Sequence, residues 1–386
     1  MNFSKTHIII GSLFLAGFSS CTSKTEDVTP LRTKIDYTKV TPTTPYKSLF
    51  VAANGDSTVD LKSGNDRYRI YQALNYYLGG AVRDNKALDA AVMKNMYANS
   101  GNPFTDIPSL NISGSSLNAS GVQLRNVTAS SKTDGEAVRT KMDATFGEMA
   151  EVSKSFGAVA SKGVAGKSGT YLLDAKGIET IQVIQKSLIG AYQLDYISNV
   201  LLDKGLSADN TTLVSGKKYS QLEHNWDEAY GALTLNPVFL ANSTDAVRGT
   251  SESFLGSYVW EYNKAAYAKI HPAFVRGRVA IVNNDMTELK TQATFIRTEM
   301  EKAIAYSAVG YLGKWKTGTT EAARAHAIGE AVGFIYSLRF CTISGVDAKF
   351  SDDLITNLVG SANGFWDLTN DKVNAAVDAI NTKFKL

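Results

Sequence analysis

The chain has 386 residues, of which 44% are hydrophobic and 20% charged, so it is long enough to bury a large core and has the composition of a folded globular protein. Its 40 basic and 37 acidic side chains give a formal net charge of +3. This balance provides no electrostatic basis for binding nucleic acid, which is not an expected partner. The two cysteines, Cys21 and Cys341, lie in very different contexts, which argues against a disulfide framework.

The first twenty residues predict a signal peptide. Lys5 supplies a positive charge, and the apolar run from Ile8 to Phe18 is too short to span a bilayer. Small residues then lead to Cys21, a pattern that resembles a bacterial lipoprotein signal in which this cysteine becomes the lipidated first residue. We therefore expect residues 1–20 to be removed and Cys21 to anchor the chain in the outer membrane, on its periplasmic or cell-surface face. An ordinary cleaved signal with a chance cysteine is the alternative.

Residues 21–45 are predicted to form a flexible tether, because they are polar, threonine-rich and without the periodicity of core-forming segments. Folded structure is expected from about Tyr46 to the end of the chain, as one helical domain over 46–386. No segment after the signal reaches eighteen consecutive apolar residues, so we expect no further membrane segment.

Helical periodicity dominates the chain after Tyr46, whereas the period-two alternation of half-buried strands is nearly absent. The sequence therefore predicts an all-α, multi-helix bundle with long surface loops. The polar, glycine-containing stretches 99–135 and 161–169 are predicted to be such loops. In chain order, helices are predicted at about 65–80, 85–98, 134–160, 176–205, 220–233, 271–284, 285–312, 319–340 and 371–384.

The stretch SQLEHNWDEAYGAL, residues 220–233, concentrates acidic side chains beside a histidine. On a helix its apolar residues form one stripe, and the polar residues fall on the other side. A solvated acidic face is one interpretation, because charged helix faces usually lie in water. A metal site is the other, with the candidate ligands Glu223, His224, Asp227 and Glu228.

A second pair of the same kind lies in the stretch HAIGE, where His326 and Glu330 are four residues apart. The surrounding helix carries few charges and is predicted to be largely buried, so the pair is expected to face inward. Histidine and carboxylate side chains on facing helices are good ligands for iron, zinc or a similar ion. The alternative is a buried hydrogen-bond network between histidine and glutamate that joins helices.

Three further residues are secondary candidates. Arg276 and Arg278 could bind an anion or pair with the acidic face of the 220–233 helix. His271 precedes Pro272, and we expect it to lie in a loop before a helix that starts near this proline, with a ligand role as one option.

The stretches LEHNWDEAYGAL, AFVRGRVAIVNND and AHAIGEAVGFIYSLRF, in this order behind a lipoprotein signal, resemble an uncharacterised family of Gram-negative lipoproteins. That family is catalogued as a domain of unknown function and is akin to the imelysin-like proteins. The resemblance covers about Tyr46 to Leu386. It implies a helical fold, with two lobes at 46–205 and 206–386 as one division. It also implies the context of iron-regulated lipoproteins encoded near outer-membrane iron or haem receptors.

Some imelysin-like proteins have been labelled metallopeptidases on a Gly-x-His-x-x-Glu motif. Here each histidine is separated from its glutamate by one more residue, and no glycine stands two residues before either histidine. This departure argues against carrying over the peptidase label.

The first hypothesis is therefore a non-enzymatic, outer-membrane-anchored binding lipoprotein, accessory to iron or haem acquisition, with a His/carboxylate site for iron or another divalent metal. An outer-membrane receptor is its expected partner. The second hypothesis is an imelysin-type metallopeptidase in which a glutamate activates metal-bound water. The third is a structural surface module that binds a receptor or a glycan.

Overall fold

A computed structural model describes residues 31–237 and 252–386. The predicted signal peptide and Cys21 lie outside these described residues. The described part of the chain is mostly helical, which confirms the predicted all-α, multi-helix bundle. The α-helices are α1 Lys62–Arg83, α2 Ala90–Ala98, α3 Gly114–Asn118, α4 Gly135–Ser153, α5 Thr180–Leu188, α6 Gln221–Leu233, α7 Phe254–Tyr262, α8 Lys264–Asn283, α9 Met286–Thr317, α10 Glu321–Ser337, α11 Ala348–Val359 and α12 Asn370–Phe384.

Other regular elements are short, apart from a π-helix that continues α5. It spans Ile189–Leu201. Two strands, β1 Gly166–Ser168 and β2 Tyr171–Leu173, form an antiparallel hairpin. Single 3-10 turns occur at Tyr37–Lys39, Pro108–Leu110, Lys204–Ser207, Leu338–Phe340 and Gly364–Asp367.

One hydrophobic core runs through both predicted lobes. Buried apolar residues on either side of residue 205, such as Leu194 and Trp226, belong to the same cluster. Helix α1 packs against α6, α5 packs against α10, and the long helix α9 packs against α8 and α10. The division into lobes 46–205 and 206–386 therefore does not correspond to separate cores.

The start of α6 follows the sequence expectation. The Ser220 hydroxyl accepts a hydrogen bond from the backbone N–H of Glu223 at 3.1 Å, and the Glu223 carboxylate accepts one from the Ser220 N–H at 2.8 Å. This capping box satisfies two of the free N–H groups of the first turn. It also fixes the orientation of Glu223, which points back into the protein.

The helix predicted to start near Pro272 begins earlier, at Lys264, so His271 lies inside α8 and not in a loop. Proline inside a helix costs a hydrogen bond and usually kinks the helix. Here apolar side chains on both sides of the proline, Ile270 and Phe274, are completely buried. Their burial offsets the lost hydrogen bond. This burial depends on packing against other elements, so the residues around Pro272 alone do not predict it.

The π-helix begins where a side chain enters the backbone ladder. The Ser337 hydroxyl donates to the carbonyl oxygen of Lys186 at 2.6 Å and accepts from the N–H of Gly190 at 3.1 Å. These two backbone groups, four residues apart, would otherwise bond to each other in an α-helix. The serine of α10 therefore marks the change from α5 to the π-helix.

Both predicted surface loops contain ordered structure. In 99–135, Phe104, Ile112 and Leu124 are buried, because apolar residues are interspersed among the polar ones. The 161–169 patch contributes β1 and the turn residue Gly169, whose φ of +58° suits a tight hairpin turn.

Residues 31–46, which we call the N-terminal strap, pack against the helical body. The N–H of Ile35 donates to the side chain of Asn283 at 2.8 Å, and the Tyr37 hydroxyl donates to Asp285 at 2.9 Å. The described part of the predicted tether is therefore bound to the body. Hydrogen bonds to individual side chains hold the strap in place. Such bonds leave no apolar periodicity in the sequence, so the sequence did not predict them.

Candidate functional site

The acidic side of α6 lies inside the protein and is neutralised there by arginine. Arg278 of α8 is completely buried, and so are Glu223 and Asp227. Its Nη1 donates to Glu223 Oε1 at 2.9 Å, and its Nε donates to Asp227 Oδ1 at 3.0 Å. A buried arginine between two carboxylates satisfies charges that would otherwise be costly to remove from water. We call these three residues the Arg278 cluster.

The N-terminal strap completes this cluster. Arg32 donates from Nε and Nη2 to the two carboxylate oxygens of Glu223, at 2.9 and 2.7 Å. At the other end of the strap, the hydroxyl of the buried Tyr46 donates to Asp227 Oδ1 at 2.9 Å. The fork of an arginine matches a carboxylate in this two-bonded geometry. Each carboxylate of the cluster thus has a donor from α8 and one from the strap.

The two carboxyl groups of the cluster differ in pKa. Burial raises the pKa of Asp227 to about 6, against the opposing charge of Arg278. Burial acts on Glu223 in the same direction, but the hydrogen bond from Arg32 and the charge of Arg278 outweigh it and hold the pKa below its usual range. The difference follows from the number of cations, since Glu223 has two arginines and Asp227 shares one.

The pair His224 and Glu228 lies on a different side of α6 from the Arg278 cluster. Glu228 forms an ion pair with Arg67 of α1, and its other oxygen lies 3.7 Å from His224 Nε2. The imidazole stacks on Tyr219, with ring centroids 4.7 Å apart. Its Nδ1 is buried without a hydrogen-bond partner. The π-helix contributes Tyr196, whose ring lies 5.2 Å from the Arg67 guanidinium carbon.

The pair His326 and Glu330 lies on α10 in a second cluster. His326 Nδ1 lies 2.6 Å from a carboxylate oxygen of Glu179, and its Nε2 lies 3.8 Å from Glu330. The imidazole stacks on Tyr171 of β2 at a centroid distance of 4.2 Å. Lys186 of α5 pairs with Glu330 at 3.0 Å. We call these residues the His326 cluster; its imidazole is the more exposed group, with 26% of the side chain accessible.

The secondary candidates have structural partners. Arg276 pairs with Glu288 and lies over the Tyr37 ring, so it does not join the acidic face of α6, whereas Arg278 does. The buried His271 lies 2.9 Å from the Tyr230 hydroxyl and 2.7 Å from the carbonyl oxygen of Thr44. Burial lowers the pKa of His271, which favours the neutral ring.

The structure brings Glu223 and Asp227 together, but no hydrogen bond or ion pair between described residues joins either of them, or the His224–Glu228 pair, to the His326 cluster. Within 31–237 and 252–386, no group of three or more His, Cys, Asp or Glu side chains is arranged to hold a metal ion. The contacts therefore do not support the hypothesis that both pairs bind one ion.

Sequence reasoning missed the partners that decide the role of each carboxylate. Arg32 and Tyr46 lie in or next to the predicted tether, and Arg67 lies on a helix with no motif around it. Glu179 and Lys186 come from the region of α5. Only Arg278 could be found from the sequence, which left open whether this arginine binds an anion or pairs with the acidic face of α6. In the structure it pairs with that face.

These features define a class: a helical bundle in which the buried carboxylates of one helix, α6, are paired with arginines from distant parts of the chain. The family described as "Domain of unknown function (DUF4856)" matches residues 46–386, and the chain belongs to this family. The resemblance to a domain of unknown function is thereby confirmed. No curated protein and no solved structure matches the chain. Among the described helices, none is both long and apolar enough to cross a membrane.

Proposed function

We propose that the chain is a non-catalytic, lipid-anchored binding protein of the outer membrane. The anchor is supported by the sequence up to Cys21, where a short apolar run and small residues precede the cysteine. The all-helical fold then serves as a body held close to the membrane by a short N-terminal segment.

The observation that carries the non-catalytic part is the pairing of every candidate carboxylate with a cation. Glu223 and Asp227 bind Arg278, Glu228 binds Arg67, and Glu330 binds Lys186. A general base or a metal ligand needs a free lone pair directed at its target. At either His–Glu pair, the positive charge of the arginine or lysine that already pairs with the glutamate opposes the binding of a metal cation.

We further propose that the protein assists iron or haem acquisition through a protein partner, such as an outer-membrane receptor, and not through an ion held by these pairs. The support for this context is the resemblance of three stretches to iron-regulated, imelysin-like lipoproteins. The kinship to imelysin-like proteins is part of the same proposal.

Metal content and thermal unfolding test this proposal together. Protein purified without chelator should contain no stoichiometric iron or zinc, and neither ion should raise the unfolding midpoint. An ion that binds only the folded state at 100 times its dissociation constant would stabilise it by about 2.7 kcal/mol. A clear upward shift that disappears in His326→Ala would overturn the assignment of the pairs as structural.

Lipidation is tested separately by the mass of the N-terminal peptide of the membrane-bound protein. We expect a diacylglyceryl group and an amide-linked acyl chain on Cys21. An unmodified N-terminal peptide, beginning at any residue, would remove the anchor from the proposal.

A cleft on α1 favours a related candidate, a surface module that binds a glycan or a segment of a receptor. The cleft has a volume of about 390 Å³ and lies between α1, α2 and residues 103–107. Its lining combines Tyr76, Phe104 and Lys86, and the Arg83 guanidinium lies 4.0 Å from the Tyr76 ring centroid. Apolar surface with a few convergent polar groups is typical of ligand sites.

Glycan-array binding measures this candidate function. Tyr76→Ala removes an aromatic side chain that is 39% exposed, and it should abolish a signal given by the wild type. The partly buried Tyr306 lies outside the cleft, so Tyr306→Ala is the matched control. Equal loss in both variants, or no signal in the wild type, would remove the glycan candidate.

A further inference from the structure

A groove lies where the N-terminal strap joins the body. It has a volume of about 370 Å³ and is formed by residues 31–35, Lys39, residues 49–53 and two residues further along the chain. Its apolar lining includes Ile35, Leu49 and Val51, and half of the Val51 side chain is exposed. A groove of this kind presents apolar surface and positive charge side by side.

Two lysines at this groove are free to bind an anion. Lys34 and Lys39 are exposed, and neither forms an ion pair with any described residue. Hydrogen bonds from Thr38 lower the pKa of Asp36, and the charge of Lys39 adds to this shift, but Asp36 and Lys39 do not form an ion pair. Arg32 also lines the groove, but its guanidinium already forms an ion pair with Glu223.

The distance to the predicted anchor places this groove near lipid. Arg32 lies eleven residues after Cys21, and a fully extended chain of this length spans at most about 36–40 Å. A body anchored at Cys21 therefore keeps the groove within reach of the membrane surface.

We propose that this groove binds an anionic phospholipid of the membrane that carries the anchor. The ammonium groups of Lys34 and Lys39 bind the phosphate, and the apolar lining with Val51 contacts the glycerol and the first methylenes of the acyl chains. The access to lipid rests on the proposed lipidation of Cys21, but the binding chemistry does not. Apolar lining next to two unpaired lysines favours a lipid over a free phosphate ion.

Vesicle flotation of the full mature chain with Cys21→Ser tests the groove without the anchor. At low salt, this protein should float with vesicles of equal parts phosphatidylglycerol and phosphatidylcholine, and not with pure phosphatidylcholine. Because each lysine near an anionic surface changes binding about fivefold, Lys34→Gln with Lys39→Gln should weaken partitioning roughly thirtyfold. Inorganic phosphate in millimolar excess should not compete.

The matched control is Lys94→Gln with Lys385→Gln, two exposed lysines without an ion pair among the described residues, and it should leave partitioning unchanged. Equal binding to both kinds of vesicle, equal weakening in the two double variants, or full competition by phosphate would overturn the proposal. Failure of lipidation would show in the mass of the N-terminal peptide and would leave this assay unaffected.

Discussion

The two His-x-x-x-Glu helices use one sequence pattern in two different environments. On α6, the acidic residues beside the histidine, Glu223 and Asp227, are completely buried around Arg278. On α10, the histidine is partly open to solvent, and its carboxylate partners Glu179 and Glu330 are buried. The two His–Glu pairs are themselves similar, since both imidazoles are partly exposed and both glutamates pair with a cation. The difference lies in the closed ion-pair centre of Glu223, Asp227 and Arg278, which lies beside the pair on α6 and has no counterpart in the His326 cluster.

This difference shows that the pattern alone does not determine chemistry; the cations supplied by other elements do. Arg278 reaches α6 from α8, and the strap adds Arg32. At α10 a single lysine from α5 pairs with Glu330, and His326 is left with Glu179. Substitutions should therefore affect stability far more in the Arg278 cluster than in the His326 cluster.

The largest effect is expected for Arg278→Leu. It leaves two buried carboxylates without their shared cation, which typically costs about 3–5 kcal/mol of the free energy of unfolding. Arg276→Leu, two residues away and on a partly exposed pair, should cost less than about 1 kcal/mol. Urea unfolding measures both variants. Similar losses in the two would contradict the comparison.

The pH dependence of the free energy of unfolding should reflect the titration of the Asp227 carboxyl. Its folded-state pKa is raised to about 6 from an ordinary value of 3.8, so the folded protein binds this proton more tightly than the unfolded chain does. Its contribution to stability is therefore present below about pH 4 and is lost as the pH rises to about 6. The total is at most about 3 kcal/mol, at about 1.4 kcal/mol per pKa unit.

The measurement is the difference in unfolding free energy between the wild type and Asp227→Asn from pH 4 to pH 7. The wild type should lose stability relative to the variant as the pH rises through this window. A difference that is flat, or that grows in favour of the wild type, would show that Arg278 dominates the pKa of Asp227.

The next largest loss of stability is expected where a glycine packs closely against α6 or against α10. A Cβ on Gly277 would lie 2.0 Å from the Trp226 ring of α6, and one on Gly190 would lie 2.3 Å from the Ser337 side chain of α10. Alanine at either position should overpack the core and cost roughly 1–3 kcal/mol by thermal unfolding. Gly313→Ala is the control, because its Cβ meets open space and should be neutral or stabilising. Destabilisation of all three variants alike would contradict this.

The smallest losses of stability are expected for the two histidines, and they should differ. His326→Ala removes the partner of the buried Glu179 carboxylate and should cost about 1–2 kcal/mol. His224→Ala should cost less, since its Nδ1 has no partner and Glu228 keeps Arg67. Parallel urea unfolding curves compare them. A larger loss at His224 would mean that its imidazole, and not Arg67, holds Glu228.

Much of the fold could be predicted from local pattern. The helical period, the Ser220 cap and the glycine-rich breaks indicated a helical bundle, and most helices lie near their expected positions. The start of α8 was wrong, because burial on both sides of Pro272 outweighs the local cost of proline. The hairpin β1–β2 was missed, because its strands are too short for alternation to be visible.

The candidate site could be predicted only in part. The sequence indicated that Glu223 and Asp227 share a face of α6, and it offered Arg278 as their partner. It could not show that Arg32 and Tyr46 would reach the same cluster, because hydrogen bonds between residues about 180–190 positions apart leave no local periodicity.

The central claim is that Arg278 neutralises the buried acidic residues of α6. A double-mutant cycle tests this claim most directly. Arg278→Leu is measured in the wild-type background and in a background that carries Glu223→Gln and Asp227→Asn. The structure predicts that its cost falls by at least about 2 kcal/mol in the second background, since neutral amides do not need the cation. Equal costs in the two backgrounds would contradict the claim.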